Sequence, residues 1–309
     1  MRFKTVAPIA LFVLVASTFG AREQQSETST APSPAWNDNS LINVQKNDGD
    51  PTRPGDVKIE FYGHDAFKIT SPAGLTVLTD PWRNDSSSVY PKWFLNEFPA
   101  LRVHIVLSTH AHFDHDAVER PNGLVVLERL VGRFKLGDIE VTGLADKHQC
   151  ESTPPDKANR TAADSQAAET CPPNNAIGFD NAIQIIETGG LRIAIWGDNR
   201  GVPDSSLDHY LKGVDVLILP VETILTPAEV DVIVRKYDPE AVIPAHYFVD
   251  GLTTAVSGLE STDGWVNDQE RVHHADVRRL DRADLTLNAA ELKGSRHRIY
   301  YFGNHFEKK

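Results

Sequence analysis

The sequence predicts an α+β protein built as a four-layer αββα sandwich, and three observations point there. The first folded stretch, residues 57–80, reads as three short strands joined by tight turns. Further along, a hairpin at 182–196 is followed by a strand–helix–strand unit over 214–244. Between them the apolar run Val103-His104-Ile105-Val106-Leu107 stops on Ser108-Thr109-His110-Ala111-His112-Phe113-Asp114-His115. Strand ends and the loops after them are where α/β folds place their chemistry.

The elements follow in order. Val57-Lys58-Ile59-Glu60-Phe61 alternates with period two, and Ala66-Phe67-Lys68-Ile69-Thr70 follows a Gly-His-Asp turn. Residues 74–80 make a third strand ended by Pro81, so the three form an antiparallel meander. Residues 103–107 read as a buried strand. Short strands at 124–127 and 139–141 flank a run over 127–134 that reads as helical. Residues 182–187 and 191–196 form a hairpin around Thr188-Gly189-Gly190. After the apolar strand 214–221, Thr226-Pro227-Ala228-Glu229 is a capping box with proline at the first helical position, opening a helix to Tyr237. Asp238-Pro239 stops it, and Ala241-Val242-Ile243-Pro244 resumes a strand that leads into His246. Beyond residue 250 the text is polar, with one clear late strand at 297–302.

The chain ends and bulk composition bound the rest. Arg2 and Lys4, the apolar stretch 6–15 and the small residues after it match a secretory signal peptide over residues 1–20. That apolar run is short for a membrane span of about 20 residues. The expectation is an exported protein, periplasmic or secreted, with no stable membrane anchor after cleavage. Residues 21–55 are rich in Ser, Thr, Pro, Asn, Asp and Gln, and read as a disordered tether or a strap lying on the domain. Residues 56–309 form the folded domain. A net charge of −12, with no Lys/Arg cluster longer than a pair, argues against grasping nucleic acid. The 2 cysteines, Cys150 and Cys171, bracket a polar insert at 149–175. In an oxidising compartment they are expected to pair, and closing a loop of this size stabilises by about 3 kcal/mol in the chain-entropy model. Since the insert begins just after His148, the loop is expected to overhang the candidate site.

His110, His112, Asp114 and His115 are a metal-site composition, because imidazole nitrogen and carboxylate oxygen suit zinc and its first-row neighbours. In their H-x-H-x-D-H order they resemble the metallo-β-lactamase superfamily of metallohydrolases. Gly63-His64-Asp65-Ala66-Phe67 and Leu78-Thr79-Asp80-Pro81 look most like the branch of ascorbate-6-phosphate lactonase-type enzymes, and more distantly like N-acyl-phosphatidylethanolamine phospholipase D. The resemblance is clear over residues 57–249. It implies the metallo-β-lactamase fold and a two-metal site. His110, His112 and His148 would hold one ion, Asp114, His115 and His246 the other, with Asp198 bridging. Asp80 would accept a hydrogen bond from a ligand imidazole. Asp114 would also hold the attacking hydroxide. His64 is either a donor to a developing oxyanion in the substrate pocket or a plain turn histidine. His104 reads as packed, and His209, His273, His274, His297 and His305 as surface or rim residues.

The function expected is that of an exported, dinuclear metal-dependent hydrolase. A hydroxide made available near pH 7 by two divalent ions would attack a small ester, lactone or phosphodiester. Zn2+ leads, with Mn2+ or Fe2+ as alternatives, and the partner is a small-molecule substrate. Asp116-Ala117 after His115, and the lack of a cysteine in a ligand place, favour the lactonase-like branch over a zinc β-lactamase-like amide hydrolase. The other alternative is an iron-dependent redox enzyme on the same fold. The di-iron oxygen reductases commonly carry Glu where this chain has His112. A catalytically silent binding module is the remaining reading, and the intact ligand set argues against it.

Overall fold

Two mixed sheets carry the chain. The computed structural model describes residues 49–87, 89–148 and 178–308. The expected leader at 1–20, most of the expected tether and the expected Cys150–Cys171 pairing lie outside the described residues. The strands run in chain order as β1 (Val57–Phe61), β2 (Phe67–Thr70), β3 (Thr76–Thr79), β4 (Arg102–Ser108) and β5 (Asn122–Glu128). Next come β6 (Gly132–Leu136), β7 (Ile139–Asp146), β8 (Asn181–Thr188), β9 (Leu191–Ile195), β10 (Val216–Pro220) and β11 (Ala241–Ala245). Last are β12 (Val277–Arg279), β13 (Asp284–Leu287) and β14 (Arg298–Tyr301). One sheet has the order β13-β1-β2-β3-β4-β5, the other β12-β14-β11-β10-β9-β8-β7-β6. With the helices between strands they make the expected α+β sandwich.

The meander is present: Ile59 lies opposite Ile69, and Ile69 opposite Val77. β4 then pairs parallel to β3, with Val77 beside Ile105. In the larger sheet β7, β8 and β9 are antiparallel neighbours, while β9, β10 and β11 run parallel. Strand direction therefore places the loops after β1, β3 and β4 on one edge of the smaller sheet. It likewise places the loops after β7, β9 and β11 on one edge of the larger. Two hydrogen bonds join the sheets at that edge, Ala182 N–H to Thr109 O at 2.9 Å and His246 N–H to His64 O at 2.9 Å. Beneath it one apolar core draws on both sheets, including Ile59 and Ile105 from the smaller and Ile193, Ile218 and Ile243 from the larger.

Parallel neighbours need a crossover, and β10 reaches β11 through helix α1 (Pro227–Tyr237). Thr226 Oγ1 accepts from Glu229 N–H, and Thr226 N–H donates to Glu229 Oε2, the capping box expected. Asp238 takes a left-handed conformation and ends the helix. Val230, Ile233, Val234 and Tyr237 recur at helical spacing and are buried; each such side chain contributes roughly 2 kcal/mol of burial.

Two expectations need correction. Residues 127–134 are not helical: β5 runs to Glu128, the chain turns, and β6 begins at Gly132. Arg129 (φ 51°) and Gly132 (φ 110°) take backbone angles that a right-handed helix excludes. Phe134 and Leu136 then alternate with Arg133 and Lys135 and lie opposite Val141 and Ile139, so the apolar period is two. The polar text after residue 250 holds more than one strand. β12 and β13 follow helix α2 (Asp263–Arg271), which buries Trp265 and Val266. Both strands are short edge strands with charged or half-buried residues, so the apolar alternation that marks a strand is weak. The described end of the tether lies as a strap on the β8–β9 turn, through Gly190 N–H to Pro51 O at 2.9 Å and Gly55 N–H to Gly189 O at 3.2 Å.

Candidate metal centre

The residues at the joined edge are held in strained backbone. His64 (φ 60°), Asp80 (φ 41°) and His246 (φ 56°) all lie in the left-handed region, where a side chain is unfavourable. Such strain concentrates at functional sites and needs the surrounding fold to hold it. Gly197 (φ 57°) precedes Asp198 and could be nothing larger, since a Cβ there would lie 2.5 Å from Thr109 Oγ1 and 2.7 Å from Asn181 Oδ1. That close approach brings the end of β9 against the end of β4.

The fold gathers the motif residues into two groups. His110, His112, His148 and Asp198 place ligand-type atoms within 4.8 Å of one another, and so do His64, Asp114, His115 and His246. In the first group His110 Nε2 and His112 Nδ1 are 3.2 Å apart. Asp198 lies between the groups. Its Oδ2 is 3.6 Å from His110 Nε2 and 3.8 Å from His148 Nε2. Its Oδ1 is 3.3 Å from both His115 Nε2 and His246 Nε2. Each oxygen thus addresses one group.

The electrostatics of these side chains follow from this crowding. Burial alone would raise the Asp198 carboxyl, but the positive field of His246, His115 and His110 outweighs it and holds the group well below the usual carboxylate range. Against burial, Asp114 is held low chiefly by the charge of His115, with the contacts of His246 and His64 adding to it. Conversely, burial would lower His115 and His246, yet the carboxylates of Asp198 and Asp114 pull both upward. His110 and His148 are lowered, chiefly by burial. The buried Nε2 atoms of His115 and His246 and Oδ1 of Asp198 have no hydrogen-bond partner among the described residues. Imidazole nitrogens and a carboxylate oxygen, converging and unsatisfied, fit a pair of first-row divalent cations.

A further set of contacts orients these groups. Asp80 Oδ1 accepts from Thr109 N–H at 2.7 Å, and Oδ2 accepts from Thr109 Oγ1–H at 2.7 Å and from His115 Nδ1–H at 3.0 Å. A carboxylate can only accept, so the His115 proton sits on Nδ1 and Nε2 faces the centre. His148 Nδ1–H donates to the Asp198 backbone carbonyl at 2.9 Å, which turns its Nε2 inward. His64 Nε2–H donates to Asp114 Oδ2 at 3.1 Å. Burial first, and then the positive charge of His246, push His64 down to about 3, so it is neutral. Being fully buried, it stands behind Asp114 rather than on an open pocket wall. His104 is half-buried against Thr76, while His273 and His274 are exposed.

Sequence reasoning missed Thr109, which fastens Asp80, and Asp65. Asp65 is fully buried beside His115, with Oδ2 at 3.8 Å from His115 Nδ1. Burial, and next the charge of Asp80, push its carboxyl upward. The signal available was an acidic residue set between Tyr62 and Phe67 where the neighbouring text is apolar.

Residues 58–246 match the family model for a β-lactamase superfamily domain. A UPF0173 metal-dependent hydrolase from Koribacter versatilis is 26% identical over 216 residues, covering 62% of this chain and 84% of the relative. A UPF0173 metal-dependent hydrolase from a Polaromonas species is 29% identical over 224 residues, covering 62% and 78%. In three dimensions the chain is similar to a candidate Zn-dependent hydrolase of the metallo-β-lactamase superfamily from Thermotoga maritima. That match has a TM-score of 0.55 at 18% identity, over 79% of this chain and 98% of the other. The matched span includes every histidine and aspartate of the two groups, and the chain belongs to the β-lactamase superfamily, with the metallo-β-lactamase fold.

Proposed function

We propose that the protein is an exported, dinuclear metal-dependent hydrolase of a small ester, lactone or phosphodiester. The observation that carries this reading is Asp198, with one oxygen turned to each histidine group. The relatives described as metal-dependent hydrolases support the reaction class, and the lactonase-like resemblance puts lactones first. His110, His112 and His148 would hold one cation and Asp114, His115 and His246 the other, with Asp198 between them. When bound, two divalent ions, Zn2+ before Mn2+ or Fe2+, would supply Lewis acidity and water with a pKa near neutrality.

The chain's own residues have separate tasks. His112 is the half-exposed member of the set, so substrate reaches the centre from its side. Asp114, steadied by His64, is placed to hold a proton of the attacking water. Asp80 keeps His115 in one tautomer, and the Asp198 carbonyl does the same for His148. Export rests on the N-terminal leader pattern, and the Cys150–Cys171 disulfide rests on export; thiol counting on unfolded, unreduced protein tests the bond. The functional test is elemental analysis of purified protein together with a screen of lactones, aryl esters, bis-aryl phosphates and β-lactams. Two zinc or manganese ions per chain, and ester or lactone turnover that chelation abolishes, are expected. Visible iron absorption without hydrolysis in any class would overturn the reading.

A further inference from the structure

The centre buries one more carboxylate than its expected ligands and known supports need. Asp65 follows His64 in the turn after β1 and has no exposed surface. Neither of its side-chain oxygens has a hydrogen-bond partner among the described residues. A buried carboxylate without a partner destabilises a fold strongly, and proteins keep one only where something compensates it. Ala66 and Phe67, next in the chain, are fully buried and apolar, so a neutral side chain would suit the position better if folding were all that mattered.

Bound cations reverse that balance. Two divalent ions would bring four positive charges, of which Asp114 and Asp198 offset two and Asp80 a third. With neutral water rather than hydroxide at the centre, Asp65 would offset the fourth. It also stands in the right place: with His115 and Asp198 it forms a group whose ligand-type atoms lie within 4.8 Å of one another. It faces the Nδ1 side of His115 at 3.8 Å, whereas Asp198 faces Nε2 at 3.3 Å. Asp65 therefore approaches the ring from behind, alongside Asp80, and acts on the centre through the imidazole and through its field.

We propose that Asp65 is a positioning residue for the cation held by Asp114, His115 and His246, a buried carboxylate that completes the charge balance and steadies His115 from behind. This rests on the two-cation reading above. The test uses full-length protein and two variants, Asp65→Asn, which keeps the size and removes the charge, and Asp65→Ser, which removes both. Two properties are measured: the melting temperature after chelation, and the affinity for each of two Zn2+ ions by chelator competition. A Co2+ absorption spectrum reports the surroundings of each site. The metal-free Asn variant should melt higher than metal-free wild type. One of its two Zn2+ affinities should fall about tenfold or more, as when a group supporting a metal ligand is lost. The Co2+ spectrum of that site should change, with the other cation bound as before.

A merely structural Asp65 gives the opposite pattern, a lower metal-free melting temperature with both affinities intact, and that overturns the proposal. Should the Asn variant not fold, unchanged affinities in the Ser variant are equally decisive. Wild-type protein that binds fewer than two cations would instead sink the two-cation reading, and this proposal with it. The wild-type control keeps the two failures apart.

Discussion

The two groups that share Asp198 are built differently. The first, His110, His112 and His148, reaches solvent through His112, and its rings are oriented by a neutral hydroxyl and a backbone carbonyl, Thr109 Oγ1 and Asp198 O. The second, His64, Asp114, His115 and His246, is buried throughout and backed by the carboxylates of Asp80 and Asp65. One side is open and backed by neutral groups; the other is closed and backed by charge. The difference assigns separate burdens. The open side can exchange water and substrate at little cost to the fold. In the closed side, ionised groups stay together only because each compensates another, so losing one member there should cost stability as well as metal.

The largest break in this comparison is Asp198→Ala, since that carboxylate serves both sides. It leaves His115 and His246 buried without the carboxylate charge that does most to raise them. Removing one partner of a buried charge pair costs about 3–5 kcal/mol, so the metal-free variant should melt well below wild type. At least one cation per chain should also be lost. Asp198→Asn should lose less of both. Stoichiometry unchanged in both variants would remove the shared-carboxylate account.

Chelation comes next. Cations that bind the folded chain alone stabilise it by mass action, about 2.7 kcal/mol at a hundredfold excess over Kd. A clear fall in melting temperature with chelator is expected in wild type, and restoration on adding Zn2+. Equal melting curves with and without chelator would mean that no ion is held where the two groups converge.

A finer comparison sets His115→Ala against His112→Ala. Both should cost a cation. Only the first empties a fully buried position and strands Asp80 and Asp198, and large-to-small changes in a packed interior cost about 2–5 kcal/mol. The second opens toward solvent, where truncation is usually within about 0.5 kcal/mol. Measured on chelated protein, similar melting temperatures for the two would erase the distinction between an open and a closed side.

What was legible in sequence cuts across the two sides. His110 and His112 fall two residues apart after one apolar strand, and Asp114 and His115 follow at once, so composition alone marks the loop. His148, Asp198 and His246 each sit singly at a strand end. Only the family resemblance joined them to the motif, because β7, β9 and β11 meet β4 through sheet packing that spacing does not encode. Asp65 was illegible for the same reason. One residue after a turn histidine, it becomes a site residue only when β1 brings it behind His115. The capping box of α1 could be read residue by residue, since its partners are three apart. The stretch 127–134 could not, because a few apolar residues suit either period until β7 supplies a partner for β6.

The smallest effect tests how far the closed side depends on the fold around it. α1 connects β10 to β11, and His246 follows β11 directly. Thr226→Ala removes the Oγ1 acceptor of Glu229 N–H and the hydroxyl that donates to Glu229 Oε2 at 2.8 Å. Loss of such a cap costs about 1 kcal/mol, a modest fall in melting temperature. If His246 is held locally, by its backbone bond to His64 O and by the buried ring of His115 stacked at 5.2 Å, the fraying of a helix start should not reach it. Both Zn2+ affinities should then stay within about twofold of wild type, well under the 1.4 kcal/mol of a tenfold change. An affinity loss confined to one cation would show that α1 transmits strain through β11 to the closed side, and the comparison would have to be redrawn with the helix as part of it.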